Sequence, residues 1–301
     1  MNIIILLTIT LITILSLVNG EITTPTVENV AVEGECIAVN KLLGKDLNSN
    51  CCLEKEVTCQ DGYIVKLSIH EVNLGGTIPS EIGNLSQLKE LFLYNIQLSG
   101  TIPPEIGNLS QLKTLSIHDN NLSGSIPAEI FKLSQLEVLS IHHNNLSGSI
   151  PSEIGNLSIL KSLYLNYNNL SGPIPPEIGN LNQLTTISIS NNKFTGSIPS
   201  GIGNLSNIQR LFLYKNELSG PIPSEIGNLT NLKKFNIYNN NFCGDIPKLP
   251  STCIIKIDNN PNIGSNCSNG SISVKSDSPQ KNNNLTEIIY NKIIKYILRK
   301  V

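Results

Sequence analysis

The 301-residue sequence contains no tryptophan and one methionine, and only 15% of its residues are charged. Its formal net charge is −2 with both signs mixed along the chain, so the sequence does not indicate a basic surface that would bind nucleic acid. It has no glycine-rich loop followed by lysine, and no serine or cysteine is set apart as a nucleophile. We therefore expect a protein that is not an enzyme and needs no cofactor. Asparagine, serine and glycine are abundant instead, which suits a surface of stacked turns.

A repeated unit of 24 residues fills about two thirds of the chain. Its first apolar residue recurs at Leu67, Leu91, Leu115, Leu139, Leu163, Ile187, Leu211 and Phe235. A fixed period in this range is the signature of a solenoid. One unit cannot bury its own apolar side chains, but stacked units can, and each buried Leu or Ile contributes about 1.5–3 kcal/mol. The sequence therefore predicts eight stacked repeats over residues 61–244.

Each unit begins with an alternating apolar pair such as Leu67 and Ile69, which predicts a short strand with one face inward. Successive strands should form one parallel sheet. An asparagine column should hydrogen-bond backbone groups of the tight turn after each strand; it comprises Asn120, Asn144, Asn168, Asn192, Asn216 and Asn240. Val72 and Ile96 occupy this column in the first two repeats, where we expect less regular turns.

The seven cysteines lie before the repeats or at their end, where a solenoid needs atypical capping units. Residues 21–60 are predicted to form the N-terminal cap, with a helix-compatible segment from Cys36 and the bridges Cys36–Cys51 and Cys52–Cys59, although spacing leaves the other pairings open. Residues 245–270 should form a truncated repeat and C-terminal cap, held by one pair among Cys243, Cys253 and Cys267.

Residues 1–20 have the features of a secretory signal peptide, because an apolar segment is followed by small residues suitable for cleavage; an uncleaved anchor is the alternative. Residues 271–301 form a low-complexity tail, within which 285–301 could be a basic amphipathic helix that touches a membrane or simply a frayed end. Export fits the glycosylation sequons, which begin at Asn84, Asn108, Asn121, Asn145, Asn156, Asn169, Asn204, Asn228, Asn266, Asn269 and Asn284. Most of them arise from the repeat consensus itself, so we expect only some to carry glycan.

The unit Leu-x-Leu-x-x-Asn-x-Leu-Ser-Gly-x-Ile-Pro-x-Glu-Ile-Gly-Asn-Leu-x-x-Leu resembles the plant-type leucine-rich repeat of receptor-like kinases, receptor-like proteins and polygalacturonase inhibitors. The resemblance covers about residues 36–267. It implies an α/β-type solenoid: a right-handed curved superhelix with a parallel sheet on its concave side and disulfide-stabilised caps. It also implies that ligands bind on the concave side. The chain departs from an intact receptor kinase in lacking a Trp in the cap, a membrane-spanning segment after the C-terminal cap and a kinase domain.

We define the concave face as the residues one, three and four positions after each repeat start. Aromatic residues and all four histidines concentrate there, as is typical of recognition surfaces. Strands favour aromatics in any case. The predicted ligand-binding residues are His70, Phe92, Tyr94, His118, Asp119, His142, His143, Tyr164, Tyr167, Phe212, Tyr214 and Tyr238.

Four of these residues should form one patch across two adjacent repeats, because neighbouring strands lie about 4.7–4.9 Å apart. They are His118, Asp119, His142 and His143. We weigh a weak divalent-metal site and a pH-sensitive contact against a plain polar patch that touches a partner. The plain patch is preferred, so no metal is predicted.

These features predict a secreted or cell-surface module that binds an extracellular protein, peptide or cell-wall polysaccharide through its concave face. A polysaccharide would require stacked Tyr or Phe rings with exposed faces. One alternative is an inhibitor of a secreted wall-degrading enzyme. Another is a structural spacer or a fragment of a cell-surface receptor.

Overall fold

The computed structural model describes residues 30–267. The predicted signal peptide, the sequons at Asn269 and Asn284 and the tail 271–301 lie outside these residues. Within them, no helix is both long enough and apolar enough to cross a membrane.

The predicted N-terminal cap contains a short helix and a hairpin. Helix α1, Cys36–Leu43, ends at Gly44, whose φ of 64° closes it in the left-handed conformation. Strand β1, Val57–Gln60, pairs antiparallel with β2, Tyr63–His70, the strand of the first repeat. The hairpin was not predicted from the sequence. It covers the open edge that the first repeat would otherwise leave.

The predicted parallel sheet is confirmed, and it runs through every repeat. Leu67 pairs with Leu91 and Leu91 with Leu115, so like residues stack along the core. The strands that follow β2 in this sheet are β3 Glu90–Tyr94, β5 Thr114–Ser116, β7 Val138–Ser140, β9 Ser162–Tyr164, β11 Thr186–Ser188, β13 Arg210–Phe212, β15 Lys234–Asn236 and β17 Ile254–Lys256. The last of these strands belongs to the truncated repeat.

A second parallel sheet lies where the sequence had indicated only turns. Its strands are β4 Ser99–Thr101, β6 Asn121–Ser125, β8 Asn145–Gly148, β10 Asn169–Pro173, β12 Lys193–Gly196, β14 Glu217–Pro221, β16 Asn241–Gly244 and β18 Asn262–Ile263. The first repeat contributes only an isolated bridge from Thr77 to Ser99. Its irregular turn, which bonds Leu74 N and Gly75 N to Ile96 O, confirms the expectation placed on repeats without the asparagine.

The connection between the two sheets is a 3₁₀ turn after each proline. These turns are Ser80–Asn84, Pro104–Asn108, Ala128–Lys132, Ser152–Asn156, Pro176–Asn180, Ser200–Asn204 and Ser224–Asn228. They approach each other closely, because a Cβ added at Gly107 would lie 2.6 Å from Cβ of Glu129. In the third repeat, which starts at Leu115, Phe131 replaces this glycine and is 2% exposed, so there the ring fills the space between turns.

The predicted asparagine ladder is confirmed in detail. Asn168 accepts a hydrogen bond from Leu146 N at 3.0 Å and donates to Ile141 O and Leu165 O, both at 3.1 Å. Each amide therefore connects its own turn to the preceding repeat. This satisfies backbone groups that would be costly to bury unpaired.

Disulfides close both ends. Cys36–Cys51 and Cys52–Cys59 confirm the two predicted N-terminal bridges. At the other end Cys243 pairs with Cys267, and Cys253 is the free thiol.

Candidate functional site

The concave face is built by strand ends that turn sharply. The residue four positions after each repeat start has a φ between 51° and 57°, whatever its side chain; these residues are Glu71, Asn95, Asp119, His143, Tyr167, Asn191, Lys215 and Asn239. This left-handed turn ends the strand and presents the side chain beside that of the residue before it. Two adjacent columns of side chains therefore line one margin of the sheet.

Four rings form a continuous stack over the first four repeats. Ring centroids are separated by 4.9 Å from His70 to Tyr94, by 4.6 Å from Tyr94 to His118 and by 4.4 Å from His118 to His142. The interplanar angles are 7°, 14° and 17°. Because neighbouring strands are about 4.7–4.9 Å apart, rings in one column stack face to face. The ring faces cover one another, so ring edges are what the stack can offer to a ligand.

Two further ring pairs lie along the same face. His143 stacks on Tyr167 at 4.1 Å, and Tyr214 stacks on Tyr238 at 4.5 Å. The ring of Tyr164 is tilted by 59° from that of His142, at 6.1 Å, so the first stack ends there. The structure thus arranges most of the predicted rings as one stack of four and two further pairs rather than as one continuous stack.

Exposure differs within the predicted set. His70 is exposed, and Phe92, Tyr94, His118 and Tyr238 are half-buried. His142, Phe212 and Tyr214 are only 5%, 7% and 6% exposed. Those three side chains can offer a ligand no more than an edge, and they contribute chiefly to packing. The ring of Phe92 makes a cation–π contact with Lys66, whose Nζ lies 5.2 Å from the ring centre.

The histidine patch is organised around one carboxylate. Asp119 Oδ2 lies 2.9 Å from Nδ1 of His118, and its Oδ1 lies 3.9 Å from Nδ1 of His143. Burial raises the pKa of Asp119, but the hydrogen bond from His118 and the nearby histidines lower it further, and the net pKa is below its usual range. Burial, and then the charge of His118, hold the pKa of His142 well below its usual range, against the opposing effect of Asp119. His142 is therefore neutral at neutral pH.

An open cleft of about 490 Å³ borders this patch. Its lining includes Asp119, His143 and Tyr167 from the concave face, together with asparagines such as Asn121 and Asn145. These asparagines were not predicted as site residues, because their positions had been explained by the turn and by the sequons. Their repetition beside the left-handed column was the signal that could have identified them.

Comparison with known proteins identifies the family. A model of the leucine-rich repeat region matches residues 67–163 and 139–292. No curated protein matches the chain. Among solved structures, the ectodomain of the receptor kinase GASSHO1/SCHENGEN3 from Arabidopsis thaliana, in complex with CASPARIAN STRIP INTEGRITY FACTOR 2, is 39% identical over 60% of this chain and 22% of that chain, with a TM-score of 0.59.

Two more solved structures are informative. The plant peptide hormone receptor RGFR1 in complex with RGF2 is 32% identical over 64% of this chain and 36% of that chain, with a TM-score of 0.57. A plant ice-binding protein is 25% identical over 79% of this chain and 99% of that chain, with a TM-score of 0.55.

This chain spans little more than a third, at most, of the length of the two receptors. The family match covers well over half of the chain, and the fold has the repeat, the parallel sheet and the capped ends that the family requires. The chain belongs to the leucine-rich repeat family, and its repeats are of the plant extracellular type.

Proposed function

We propose that this protein is a secreted recognition module that binds an extracellular protein or peptide through its concave face. The observation that carries the proposal is the ring stack from His70 to His142, which places polar ring edges in one row across four repeats. The described repeats are otherwise nearly uniform in sequence, so the solenoid itself does not require this row.

The stack favours a protein or peptide over a polysaccharide. A sugar ring binds an aromatic residue by lying on its face, but here the faces of Tyr94 and His118 are covered by neighbouring rings. Ring edges offer N–H and O–H groups, which suit the hydrogen-bonding pattern of a polypeptide. An extended chain lying across the strands would meet one edge in every repeat.

The comparisons support this assignment. The receptor RGFR1 is described as a peptide hormone receptor in complex with RGF2, and the ectodomain of GASSHO1/SCHENGEN3 is in complex with CASPARIAN STRIP INTEGRITY FACTOR 2. Both share the repeat type and the fold with this chain.

Two observations support an extracellular location. Three disulfides close the ends of the solenoid, and disulfides persist in oxidising compartments. The nine sequon asparagines within residues 30–267 are all exposed, so each is accessible to glycan attachment; they are Asn84, Asn108, Asn121, Asn145, Asn156, Asn169, Asn204, Asn228 and Asn266.

The test is a capture experiment with the immobilised full chain against secreted proteins, a peptide mixture and insoluble wall polysaccharides. A variant carrying Tyr94→Ser and His118→Ser removes the centre of the stack. A matched control carries Gln111→Ser and Gln135→Ser, two exposed residues that lie outside the concave face and outside every sequon. We expect a polypeptide that the wild-type chain and the control retain and that the stack variant releases.

Other results would replace the proposal with one of the alternatives. Retention of a wall-degrading enzyme with loss of its activity would identify an inhibitor that uses the same face. Retention of polysaccharide alone would contradict the argument from covered ring faces. Retention of nothing, or equal retention by the stack variant, would favour a spacer or a fragment of a cell-surface receptor.

The second sheet carries a second candidate function, ice binding. Its outer surface has a row of hydroxyl residues one position after the buried Leu or Phe: Ser99, Ser123, Ser147, Ser171, Thr195 and Ser219. Ser99 Oγ donates to Gly76 O at 3.1 Å and Ser123 Oγ to Gly100 O at 3.3 Å, so these hydroxyls are held at the spacing of the strands. Gly124, with φ of 78°, keeps the surface flat, because a Cβ there would lie 2.9 Å from Cγ2 of Thr101.

A flat, regularly spaced hydroxyl surface suits an ordered water lattice, and the plant ice-binding protein aligns over 99% of its own length. The test is inhibition of ice recrystallisation by the enzymatically deglycosylated chain, because Asn121, Asn145 and Asn169 lie beside the row. Ser147→Tyr should abolish inhibition, and Tyr94→Ser should leave it intact. Absence of inhibition by the deglycosylated wild type would exclude this function.

A further inference from the structure

The histidine patch contains donor atoms that the recognition role does not require. His118, Asp119 and His142 each offer a ligand atom, and these atoms lie within 4.8 Å of one another. They come from two adjacent strands of one rigid sheet, so the fold itself holds them together. No other such group of His, Cys, Asp or Glu occurs within residues 30–267.

The hydrogen bond of His142 resembles that of a metal-binding histidine. Nδ1 of His142 is bonded to Ser140 Oγ at 2.9 Å, whereas Nδ1 of His118 is bonded at 2.9 Å to Oδ2 of Asp119, which is itself a candidate ligand. The hydrogen bond of His142 engages Nδ1, so Nε2 is the atom that this ring would offer to an ion. In metal sites, the second ring nitrogen of a ligating histidine is usually held in this way by a carboxylate or another polar group.

We propose that His118, His142 and Asp119 form a binding site for a zinc ion on the concave face. Two imidazoles and one carboxylate are a common donor set for zinc, and three protein ligands leave the fourth tetrahedral position open. The use of that position by a partner's donor atom rests on the proposed recognition function, whereas zinc binding itself does not.

Zinc binding requires a defined rearrangement of the stack. Zn–N bonds of about 2.0–2.1 Å place tetrahedral ligand atoms about 3.3 Å apart, closer than the present limit of 4.8 Å. The two imidazole planes are nearly parallel, at 17°, so their in-plane lone pairs do not converge. The ring of His118 must turn about its Cβ–Cγ bond, a torsion with a broad minimum. Turning it releases Asp119 Oδ2 from Nδ1, and that oxygen is then available to the ion.

His118 is the residue expected to move, because its side chain is less constrained than that of His142. Its side chain is 13% exposed, whereas His142 is held by Ser140 and is 5% exposed. His118 also contacts Tyr94, so zinc should disturb the tyrosine as well as the histidines. The absence of tryptophan makes tyrosine fluorescence a usable signal for this change.

The test is isothermal titration of Zn²⁺ into the full chain after dialysis against a chelator. The background carries Cys253→Ser, because this free thiol is a competing zinc ligand. We expect one equivalent of zinc to bind, with Cu²⁺ binding more tightly and Mg²⁺ not binding. His118→Gln, Asp119→Asn and His142→Gln should each weaken zinc binding by about tenfold or more.

The matched control is His70→Gln, which changes a histidine of the same ring stack outside the patch. It should bind zinc like the background chain. Circular dichroism establishes that each variant is folded, and if His142→Gln is not, the half-buried His118 and Asp119 decide the result. No heat with the background chain, or equal affinity in His118→Gln and in His70→Gln, would overturn the proposal. Neither outcome bears on whether the concave face binds a polypeptide.

Discussion

Replacing Asn168 with alanine isolates the contribution of one rung of the asparagine ladder. The side chain is 9% exposed and makes three hydrogen bonds to backbone groups of two repeats. Its loss leaves Leu146 N–H buried without its acceptor. Ile141 O and Leu165 O are less affected, since Asn144 and Asn192 also donate to them.

The expected loss of stability is the sum of the contributions of these three hydrogen bonds. An orphaned buried N–H costs about 1–3 kcal/mol, and each weakened carbonyl adds a net hydrogen bond of about 0.5–1.5 kcal/mol. Asn168→Ala should therefore lower the free energy of unfolding by about 2–6 kcal/mol. The matched control is Asn182→Ala, in which the same side chain is exposed and begins no sequon. That change should cost no more than about 0.5 kcal/mol.

The assay is urea unfolding followed by circular dichroism, with the midpoint compared at constant slope. If Asn168→Ala and Asn182→Ala have the same midpoint, the ladder does not stabilise the turns as described. A changed slope for Asn168→Ala would indicate that the repeats no longer unfold together, which is expected of a solenoid with one weakened interface.

Three further predictions concern the packing and the ends of the solenoid. Gly107→Ala should lower the unfolding free energy by about 1–3 kcal/mol, because the new Cβ meets Glu129. Gly201→Ala should not, because its Cβ would lie 3.3 Å from its nearest neighbour. Equal urea midpoints for the two variants would contradict the close approach of the turns. Cys243→Ser with Cys267→Ser should cost about 3 kcal/mol in the same assay, as the loop-entropy relation gives for a separation of 24, whereas Cys253→Ser should leave the midpoint unchanged. Burial raises the pKa of Glu35 above its ordinary value of 4.5, and the hydrogen bond from Ile64 N opposes this only in part. The folded chain then binds the proton more tightly than the unfolded chain, so stability should fall as pH rises from about 4.5 through the raised pKa. Glu35→Gln should make the melting temperature less dependent on pH in this range. An unchanged pH profile of the melting temperature would show that Glu35 is not the group responsible.

The repeat period was sufficient to predict the core and the long sheet. Leu67, Leu91 and Leu115 recur at a fixed spacing, and a stack of identical units has few ways to bury them. The asparagine ladder was predictable for the same reason, because a polar residue fixed beside a buried strand must bond to backbone.

The second sheet was not predictable from pattern. The sequence Asn-Leu-Ser-Gly is typical of a turn. In the structure Gly124 does have a positive φ, which a regular strand excludes. This segment pairs as a strand only because the repeats on either side adopt the same conformation. That condition depends on the tertiary structure and is not visible in the sequence of one repeat. The choice of Cys267 over Cys253 as the partner of Cys243 likewise depended on where the last strands lie.

The candidate site was predicted by position but not by exposure. Tyr94 and Tyr214 occupy the same column, yet the first is half-buried and the second is 6% exposed. In the preceding repeat the corresponding residue is His70 for Tyr94 and the fully buried Ser190 for Tyr214. Both rings stack on a neighbouring ring, so a residue's place in the column does not by itself determine its exposure.

The most direct test of edge recognition is the affinity of the captured ligand for Tyr94→Phe. This variant keeps the ring in its stack between His70 and His118 and removes only the hydroxyl at its edge. The control is Tyr63→Phe on β2, whose side chain lies outside the defined concave face. We predict about tenfold weaker binding by Tyr94→Phe, equivalent to about 1.4 kcal/mol, and no change in the control. Full affinity in Tyr94→Phe with loss in Tyr94→Ser would mean that binding needs the stacked ring but not the hydroxyl at its edge, which contradicts recognition by polar ring edges.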